Sequence, residues 1–215
     1  MHFIGDVHGK HRNYIDLIRS LNSNKTVQIG DFGVGFGDWH KNVTEGLDEA
    51  CIASGGRFIR GNHDNPEACK AMKSWISDGT IENNVMYIGG ALSIDAYARL
   101  QGWNWWEDEE LSYDELFNLN DIYEEAKPRV MVTHECPEEV AVALFPFYRR
   151  DFDSRTRKAF QSMFELHRPG TWVFGHWHHD VDKVINGTRF ICLNELSTIE
   201  FDEKTFEFGE IKPFT

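Results

Sequence analysis

The sequence of 215 residues predicts an α/β fold with a parallel sheet, and three observations support that prediction. Short apolar runs alternate with helical periodicity through the first third of the chain, as in a βαβαβ unit. Apolar residues make up 41% of the chain, which is enough for a packed core. Polar blocks directly follow several predicted strands, and functional sites of open α/β sheets collect at the carboxyl ends of strands.

The first half of the chain predicts three strands joined by two helices. The strands are residues 2–5, 26–30 and 57–60. The second helix is predicted over residues 42–54. The first helix follows Gly9, and its apolar face comprises Tyr14, Ile15, Leu17, Ile18 and Leu21. Because helices connect successive strands, these strands are expected to be parallel.

The second half predicts a less regular mixture of strands and helices. Residues 85–94 are predicted as one or two strands broken by Gly89-Gly90. Further strands are predicted over residues 129–133 and 171–174, and helices over residues 111–126 and 154–166. A hairpin turn at Asn186-Gly187 separates strands at 181–185 and 189–193, and residues 198–208 continue the alternating tail. No repeat, low-complexity tract or linker interrupts the chain, which predicts a single domain over residues 1–215.

Five polar blocks each follow a predicted strand. In chain order they are Asp6-Val7-His8-Gly9, Gly30-Asp31, Gly61-Asn62-His63-Asp64, His134 and Gly175-His176-Trp177-His178. Alternation at a strand end lets D-x-H and H-x-H project two side chains the same way. Carboxylate and imidazole groups suit divalent manganese, iron, nickel or zinc. A single such residue is commonly a cap or turn residue, but five blocks in succession favour a metal site at one edge.

The five blocks resemble the pattern of the calcineurin-like metallophosphoesterase family, which reads D-x-H, G-D, G-N-H-D/E, H and G-H-x-H in that order. Every block is intact between Asp6 and His178. The resemblance implies a four-layer α/β/β/α sandwich of two mixed sheets. It also implies a dinuclear metal-dependent phosphoesterase that hydrolyses a phosphate monoester or diester with a hydroxide shared by two metals, which lie roughly 3.5–4 Å apart in such sites.

The resemblance assigns a role to each residue of the blocks. Seven are implied as metal ligands: Asp6, His8 and His178 at one metal, Asn62, His134 and His176 at the other, and Asp31 between the two. The cofactors are two divalent cations, with Mn²⁺ preferred and iron, nickel or zinc as alternatives. His63 is implied to protonate the leaving oxygen. Asp64 either orients His63 or caps the following helix.

One part of the sequence departs from the related Ser/Thr phosphoprotein phosphatases, which carry an Asp-Arg-Gly element after the G-D block. This chain has Phe32-Gly33-Val34-Gly35-Phe36-Gly37 there, without the arginine that would bind phosphate. Two interpretations of the glycines stay open, a close approach of ligand to backbone or a flexible surface loop. The missing arginine favours a small molecule or a short nucleotide over a phosphoprotein as the substrate.

Candidate substrate contacts lie in a stretch similar to one in small bacterial and phage members of the family. It begins at Gly89-Gly90 and contains Trp103, Trp105 and Trp106. These indoles either form a stacking platform for a ring or base or pack as a cap on the sheet. The arginines expected to border the site are Arg99, Arg149 and Arg150, and each is either a bidentate phosphate contact or a surface charge.

Composition limits the functional classes. A formal net charge of −13 argues against a protein that tracks long duplex nucleic acid. The sequence shows no signal peptide, no apolar run of the ~20 residues that span a bilayer, and no C-x-x-C pair among its four cysteines, which together predict a cytoplasmic protein. The alternatives to a phosphoesterase of small substrates are a catalytically silent scaffold that binds a partner protein, or a nuclease or cyclic-nucleotide phosphodiesterase of the same superfamily.

Overall fold

The computed structural model describes residues 1–21, 23–37, 41–146 and 152–214, with the backbone alone at 41–44. The first half runs β1 (His2–Ile4), α1 (His11–Ser20), β2 (Thr26–Ile29), α2 (Lys41–Ala53), β3 (Gly56–Ile59), α3 (Pro66–Lys70), β4 (Thr80–Glu82) and β5 (Val85–Ile88). The second half runs α4 (Tyr113–Ala126), β6 (Val130–Thr133), α5 (Glu138–Leu144), α6 (Arg155–Leu166), β7 (Thr171–Phe174), β8 (Val181–Ile185), β9 (Thr188–Cys192), β10 (Thr198–Asp202) and β11 (Glu207–Phe208).

Two mixed sheets form from these strands. The first has the order β11-β10-β1-β2-β3, with β1, β2 and β3 parallel and β10 antiparallel to β1. The second has the order β4-β5-β6-β7-β9-β8, with a parallel centre and antiparallel strands at both edges. The parallel centres follow from the crossover helices, whereas the antiparallel edges come from hairpins such as the turn at Asn186-Gly187.

Three apolar clusters separate four layers. Phe3, Ile59, Val132 and Ile191 belong to the cluster in which strands of the two sheets pack together. A second cluster packs the first sheet against α1, α2 and α3, and a third packs the other sheet against α4, α5 and α6. The α/β/β/α sandwich of two mixed sheets expected from the sequence is therefore confirmed. No helix within the described ranges is both long enough and apolar enough to cross a membrane.

Several boundaries differ from the sequence predictions. The break predicted at Gly89-Gly90 is present, since β5 ends at Ile88 and both glycines pack against the backbone of Arg60 and Glu109, where a Cβ would not fit. The strand expected after the glycines does not form. The predicted strand at 198–208 is two strands, β10 and β11, joined by a turn. The short elements α3, β4 and α5 were not predicted, since runs of three to seven residues carry little periodicity.

Candidate metal centre

The five polar blocks lie at the carboxyl ends of five strands, which belong to both sheets. The blocks that begin at Asp6, Asp31 and Asn62 follow β1, β2 and β3 of the first sheet. His134 and His176 follow β6 and β7 of the second sheet. The site is therefore at the junction of two sheet edges, and the simpler expectation of a single edge is wrong in this respect.

The residues expected at one metal form an outer group, defined as Asp6, His8 and His178. Their ligand atoms and that of Asp31 all lie within 4.8 Å of one another. Nε2 of His178 is 3.2 Å from Oδ2 of Asp6, and Nε2 of His8 is 3.7 Å from the same oxygen. The Asp6 side chain is fully buried, but that of His178 is 45% exposed. The outer group therefore faces solvent on one side.

The residues expected at the other metal form an inner group, defined as Asn62, His134 and His176. Ligand atoms of His134, His176 and Asp31 also lie within 4.8 Å of one another. Oδ1 of Asn62 is 3.2 Å from Nε2 of His134. His134 is fully buried and Asn62 is 2% exposed, whereas the side chain of His176 is 16% exposed, as is that of His8 in the outer group. The inner group therefore has no member as exposed as His178.

Asp31 lies between the two groups and contacts both. Its Oδ1 is 3.2 Å from Nε2 of His134, and its Oδ2 is 3.6 Å from Nε2 of His8. Burial alone would raise the pKa of Asp31, but the neighbouring charges of His134 and His63 lower it well below its ordinary value. Burial would likewise raise the pKa of Asp6, but hydrogen bonds from His178 and His8 lower it to about 2. Both carboxylates are therefore charged at neutral pH.

Hydrogen bonds from the backbone connect the blocks to one another. The N–H of His63 donates to Oδ1 of Asp31 at 2.7 Å, and the N–H of His176 donates to Oδ2 of Asp6 at 3.2 Å. Each carboxylate is thus oriented by a block from a different strand. Charge-assisted bonds of this kind are stronger than neutral ones, so they fix the carboxylates before any ligand arrives.

The backbone of the site is in an unusual conformation. His8, Asp31, His176 and His178 have φ values of 47°, 56°, 67° and 51°, in the left-handed region that non-glycine residues rarely adopt. Each such residue costs about 1–3 kcal/mol and persists where the surrounding structure enforces it, typically at functional sites. The turns aim these side chains inward immediately after their strands end.

Gly61 leaves room for side chains of the site because it has no Cβ. A Cβ at Gly61 would overlap Asp31 and lie 2.8 Å from Nε2 of His134. The glycine that begins the third block is therefore needed because the bridging carboxylate and a buried histidine occupy the volume beside it.

The ring orientation of His134 is set by a partner outside the site. Nδ1 of His134 is 2.9 Å from the carbonyl oxygen of Ile29 and must donate to it, which leaves Nε2 for a metal. Nε2 of His176 lies 3.7 Å from Oε2 of the buried Glu135, which is too long for a hydrogen bond. Burial would lower the pKa of His134, but Asp31 raises it to about 10. Burial and the charge of His134 lower the pKa of His176 to about 3.

The donor set fits a pair of divalent cations. Two buried carboxylates, four imidazoles and one amide oxygen converge on a small volume, which are the ligand types suited to manganese, iron, nickel or zinc. Two carboxylates that are at most 1% exposed are costly to bury side by side without cationic partners. His/Asp clusters of this geometry are consistent with a dinuclear metal site.

His63 lies at the mouth of the site, between the ligands and a cavity. Its Nδ1 is 3.0 Å from Nδ1 of His8, and its Nε2 is 2.5 Å from Nη2 of Arg99. Phe36 stacks on the His63 ring at a centroid distance of 4.9 Å and an interplanar angle of 26°. Burial lowers the pKa of His63; Asp31 opposes this shift and Arg99 adds to it. The cavity-facing nitrogen of His63 is therefore Nε2.

Asp64 contacts the backbone of the second block. Its carboxylate accepts from the N–H groups of Phe32, Gly33 and Val34 and from that of Gly61, at 2.7–3.1 Å. The cap of α3 is Asn65, so the expectation that Asp64 caps this helix is wrong. Asp64 holds the loop that carries Asp31, and an effect on His63 through that loop stays a prediction.

The same bonds bear on the glycines that follow Asp31. Phe32, Gly33 and Val34 are buried, and a Cβ at Gly33 would overlap the backbone of Gly9. This part of the segment is therefore a packed contact between the first two blocks, and the alternative of a flexible surface loop is wrong for residues 32–34. A close approach of ligand to this backbone stays a prediction.

A cavity of about 600 Å³ opens over the site. Its walls include Asp31, Asn62, His63, Arg99 and His178. Arg99 is thus brought to the site as expected. Arg149 and Arg150 lie outside the described residues.

The three indoles are not among the described residues that line this cavity. Trp103 is 47% exposed, Trp106 is buried behind Phe36 with ring centroids 6.1 Å apart, and Nε1 of Trp105 is buried. Capping of the sheet by these indoles stays a prediction. Stacking of a substrate on Trp105 or Trp106 stays a prediction.

Four residues that contact the site were not singled out from the sequence. Phe36 stacks on His63, Glu135 lies beside His176, and Ser93 and Glu109 form hydrogen bonds behind Asn62. Glu135 directly follows His134, which was a usable signal. The other three contact the site across 27 to 31 residues of sequence or through a second side chain, so local patterns do not reveal them.

Known proteins share this architecture. The chain is similar to TT1561 of Thermus thermophilus, at 10% identity and a TM-score of 0.57 over 98% of this chain and 97% of that one. It is also similar to a proposed 5′-nucleotidase of Staphylococcus aureus solved in complex with alpha-ketoglutarate, at 13% identity and a TM-score of 0.60 over 99% of this chain and 53% of that one. At these identities the similarity shows the fold alone.

Comparison of the sequence with known protein families shows which family the chain belongs to. No curated protein matches this chain significantly. The profile of the calcineurin-like phosphoesterase family matches residues 2–180, which include all five polar blocks. The chain therefore belongs to the calcineurin-like phosphoesterase family.

Proposed function

We propose that this protein is a dinuclear metal-dependent phosphoesterase, and that Mn²⁺ is the preferred metal. The observation that carries the proposal is that two ligand groups share Asp31 beneath a cavity lined by His63 and Arg99. Bound there, the two cations would act as Lewis acids toward the phosphoryl oxygens and lower the pKa of the attacking water. We also propose that residues 1–215 act as one domain, since both sheets contribute ligands.

The ligands divide as the two groups suggest. Asp6, His8 and His178 would hold one cation, and Asn62, His134 and His176 the other. Asp31, which is 3.2 Å from His134 and 3.6 Å from His8, would contact both. The charges of Asp6 and Asp31 and the fixed ring of His134 prepare the site before a cation binds.

Arg99 and His63 would act on the substrate. The guanidinium of Arg99 lines the cavity, and its Nη atoms contact Asp95, His63 and Ser93. A phosphoryl oxygen would take the place of one of these partners. A leaving oxygen near Arg99 would meet Nε2 of His63, the nitrogen that faces the cavity. In this structure Nε2 accepts from Arg99, because a guanidinium only donates. If Arg99 turns to a phosphoryl oxygen, Nε2 would be free to carry a proton and to place it on the leaving oxygen as the bond to phosphorus breaks.

The substrate class we propose is a small phosphate ester or a short nucleotide. A cavity of about 600 Å³ lies in the range that takes a small molecule. The formal charge of −13 disfavours a long polyanion. Long duplex nucleic acid and phosphoproteins are therefore not the proposed substrates.

Turnover of nitrophenyl esters tests this proposal. The protein is stripped with a chelator, reloaded with Mn²⁺, and assayed on nitrophenyl phosphate and bis-nitrophenyl phosphate. We expect hydrolysis of at least one ester that disappears on stripping and returns with metal. A protein that binds Mn²⁺ and hydrolyses neither ester would instead be a silent scaffold. Turnover of a short oligonucleotide that falls steeply with salt would indicate the nuclease alternative.

A further inference from the structure

We propose that Ser93 and Glu109 are positioning residues that fix the amide of Asn62 with its oxygen toward the metal site. This inference rests on the proposed function, because it takes Asn62 as a metal ligand. The two residues come from the stretch after Gly89-Gly90. Both are buried, Ser93 at 4% and Glu109 at 2% exposure.

Hydrogen bonds link the three residues in a chain. Nδ2 of Asn62 donates to Oγ of Ser93 at 3.0 Å. Oγ of Ser93 donates to Oε2 of Glu109 at 2.7 Å, and the backbone N–H of Ser93 donates to Oε1 of Glu109 at 2.6 Å. On its other side, Oδ1 of Asn62 faces His134 in the site.

The direction of each bond follows from the chemistry of the groups. A serine hydroxyl has one proton and can accept two hydrogen bonds. A guanidinium only donates, and Nη1 of Arg99 is 3.2 Å from Oγ of Ser93, so that contact uses one acceptor position. The single hydroxyl proton of Ser93 is used in the hydrogen bond that Ser93 donates to the carboxylate of Glu109. Asn62 must therefore donate to Ser93, which turns its nitrogen away from the metals and its oxygen toward them.

Without this arrangement the nitrogen of the amide would lose its acceptor, and the oxygen and nitrogen, which have nearly the same shape, would be distinguished only through the contact of Oδ1 with His134. An inverted amide would present an N–H group to a cation and could not ligate it. Glu109 thus acts on Asn62 through Ser93, and the same hydroxyl supports Arg99.

The position of Glu109 is itself fixed by the strand that carries Asn62. Nη1 of Arg60 donates to the carbonyl oxygens of Asp108 and Glu109, each at 2.9 Å. Nε of Arg60 donates to Asp78 at 3.1 Å. Arg60 is two residues before Asn62 in the chain. The contacts therefore form a closed ring, from Arg60 to Glu109, from Glu109 to Ser93, and from Ser93 to Asn62.

The substitution Glu109→Gln reverses the polarity of the chain with almost no change of shape. The introduced glutamine has one acceptor, which the N–H of Ser93 needs, so its amide nitrogen would donate to Oγ of Ser93. The hydroxyl proton then points to Asn62 and favours the inverted amide. We expect one of two Mn²⁺ ions to bind about 10–100-fold more weakly, the range found when an outer partner of a ligand is lost.

Glu110→Gln is the matched control. Glu110 is also buried, at 4% exposure, and its carboxylate accepts from Oγ of Ser154 at 2.6 Å and from the N–H of Thr156 at 3.0 Å, at the start of α6. Like Glu109, Glu110 is a buried carboxylate that accepts from a serine hydroxyl and a backbone N–H group, but it does so away from Asn62. We expect Glu110→Gln to lower the melting temperature and to leave the affinity for both Mn²⁺ ions unchanged.

The decisive experiment measures Mn²⁺ binding by calorimetry at about pH 8, where Glu109, whose pKa burial raises to about 7, is ionised. It compares Glu109→Gln in the wild-type background and in the Asn62→Asp background. The introduced aspartate has only acceptors and therefore needs the hydroxyl proton of Ser93, which Glu109 occupies in the native protein. A glutamine in place of Glu109 leaves that proton free to donate to the aspartate. We expect Glu109→Gln to weaken Mn²⁺ binding in the wild-type background and to strengthen it in the Asn62→Asp background.

Each other outcome has a definite meaning. If wild-type protein binds no Mn²⁺, the proposed function fails. If wild-type protein binds two ions and Glu109→Gln binds them equally well, only this inference fails. Equal losses in the Glu109 and Glu110 variants, or the same sign in both backgrounds, would also overturn it. If Glu109→Gln does not fold, Ser93→Ala and Ser93→Thr replace it, and only the threonine variant should keep wild-type binding.

Discussion

The inner and outer groups of the metal centre differ in how far the protein orients their side chains. In the inner group, His134 is held by the carbonyl of Ile29 and Asn62 by Ser93, and His134 is fully buried. In the outer group, His178 is 45% exposed and Nε2 of His8 is 2.9 Å from Nε2 of His178. In the inner group, His134 and Asn62 form hydrogen bonds with residues outside the site, whereas the outer histidines contact each other and Asp6.

This difference has a consequence for metal binding. Ligands whose rings are held by outer partners lose little freedom when a cation arrives, so they bind it more tightly. The cavity is lined by His178 of the outer group and by Asn62 and His176 of the inner group, so solvent reaches both groups, and His178 is the most exposed of their side chains. We therefore expect an inner cation that exchanges slowly and an outer cation that exchanges more readily.

Asp31→Asn should erase the difference and have the largest effect. It removes a charge that both groups contact, so both cations should bind more weakly, and hydrolysis should fall by more than the ~10⁴-fold upper range for a lost acid group. Elemental analysis and turnover measure this. Asp16→Asn, an exposed aspartate on α1, is the control. Loss of only one cation would mean that Asp31 belongs to a single group.

His63→Ala should affect chemistry far more than metal binding. Both cations should remain, because His63 is not among the proposed ligands; the substitution removes a contact with Nδ1 of His8 but keeps the backbone bond to Asp31. The rate on an alkyl ester should fall by ~10²–10⁴-fold, since a poor leaving group needs a proton. The rate on a nitrophenyl ester should fall less. Equal losses on both esters with normal metal content would leave His63 as a stabiliser of transition-state charge.

His134→Ala and His178→Ala should separate the groups by stability. Without metal, the buried His134 is bonded to Ile29 and paired with Asp31, so its loss should lower the free energy of unfolding by about 1–3 kcal/mol. The exposed His178 should change it by less than about 0.5 kcal/mol. Denaturant unfolding measures both, and metal analysis should find one cation left in each. Equal destabilisation would contradict the difference in burial.

Proton release on metal binding should be the smallest effect. The pKa of His134, raised to about 10 by Asp31, keeps the ring charged in metal-free protein, whereas His176, with its pKa lowered to about 3, is already neutral. This charge stabilises the metal-free fold below the ordinary pKa of 6.5, and the stabilisation is lost as pH rises through about 10. A cation at Nε2 must displace the proton.

Calorimetry in buffers of different ionisation enthalpy measures this release. We expect at least about one proton on loading at pH ~7.5, and an affinity that increases with pH. Binding without proton release would mean that His134 is neutral beforehand.

The sequence predicted which polar residues come together in the candidate metal site better than it predicted the element boundaries. Asp6, Asp31, Asn62, His134 and His176 each follow a predicted strand, and sites of α/β proteins collect at the carboxyl ends of strands. The sequence did not show that these strands belong to two sheets. The break at Gly89-Gly90 could be predicted from the two glycines, but residues 91–94 form no strand, because the contacts that Gly89 and Gly90 make with Arg60 and Glu109 are not encoded in any local pattern. Helix α3 was missed because five residues carry too little periodicity.

The supporting residues of the site were beyond the sequence for a related reason. Ser93 meets Asn62 across 31 residues, and Phe36 meets His63 across 27. Serine and phenylalanine are common in loops and cores, so nothing in their identity marks them. Only the packed structure shows that Ser93 accepts from Asn62 and Arg99 while donating to Glu109.

Electron paramagnetic resonance during a Mn²⁺ titration of the metal-free protein tests whether two Mn²⁺ ions bind and share Asp31. We expect the first ion to give the spectrum of an isolated Mn²⁺ in the inner group. The second ion should convert it to an exchange-coupled pair, at two ions per chain, because Asp31 joins the groups. Saturation at one ion per chain, or two ions without coupling, would contradict a dinuclear centre bridged by Asp31.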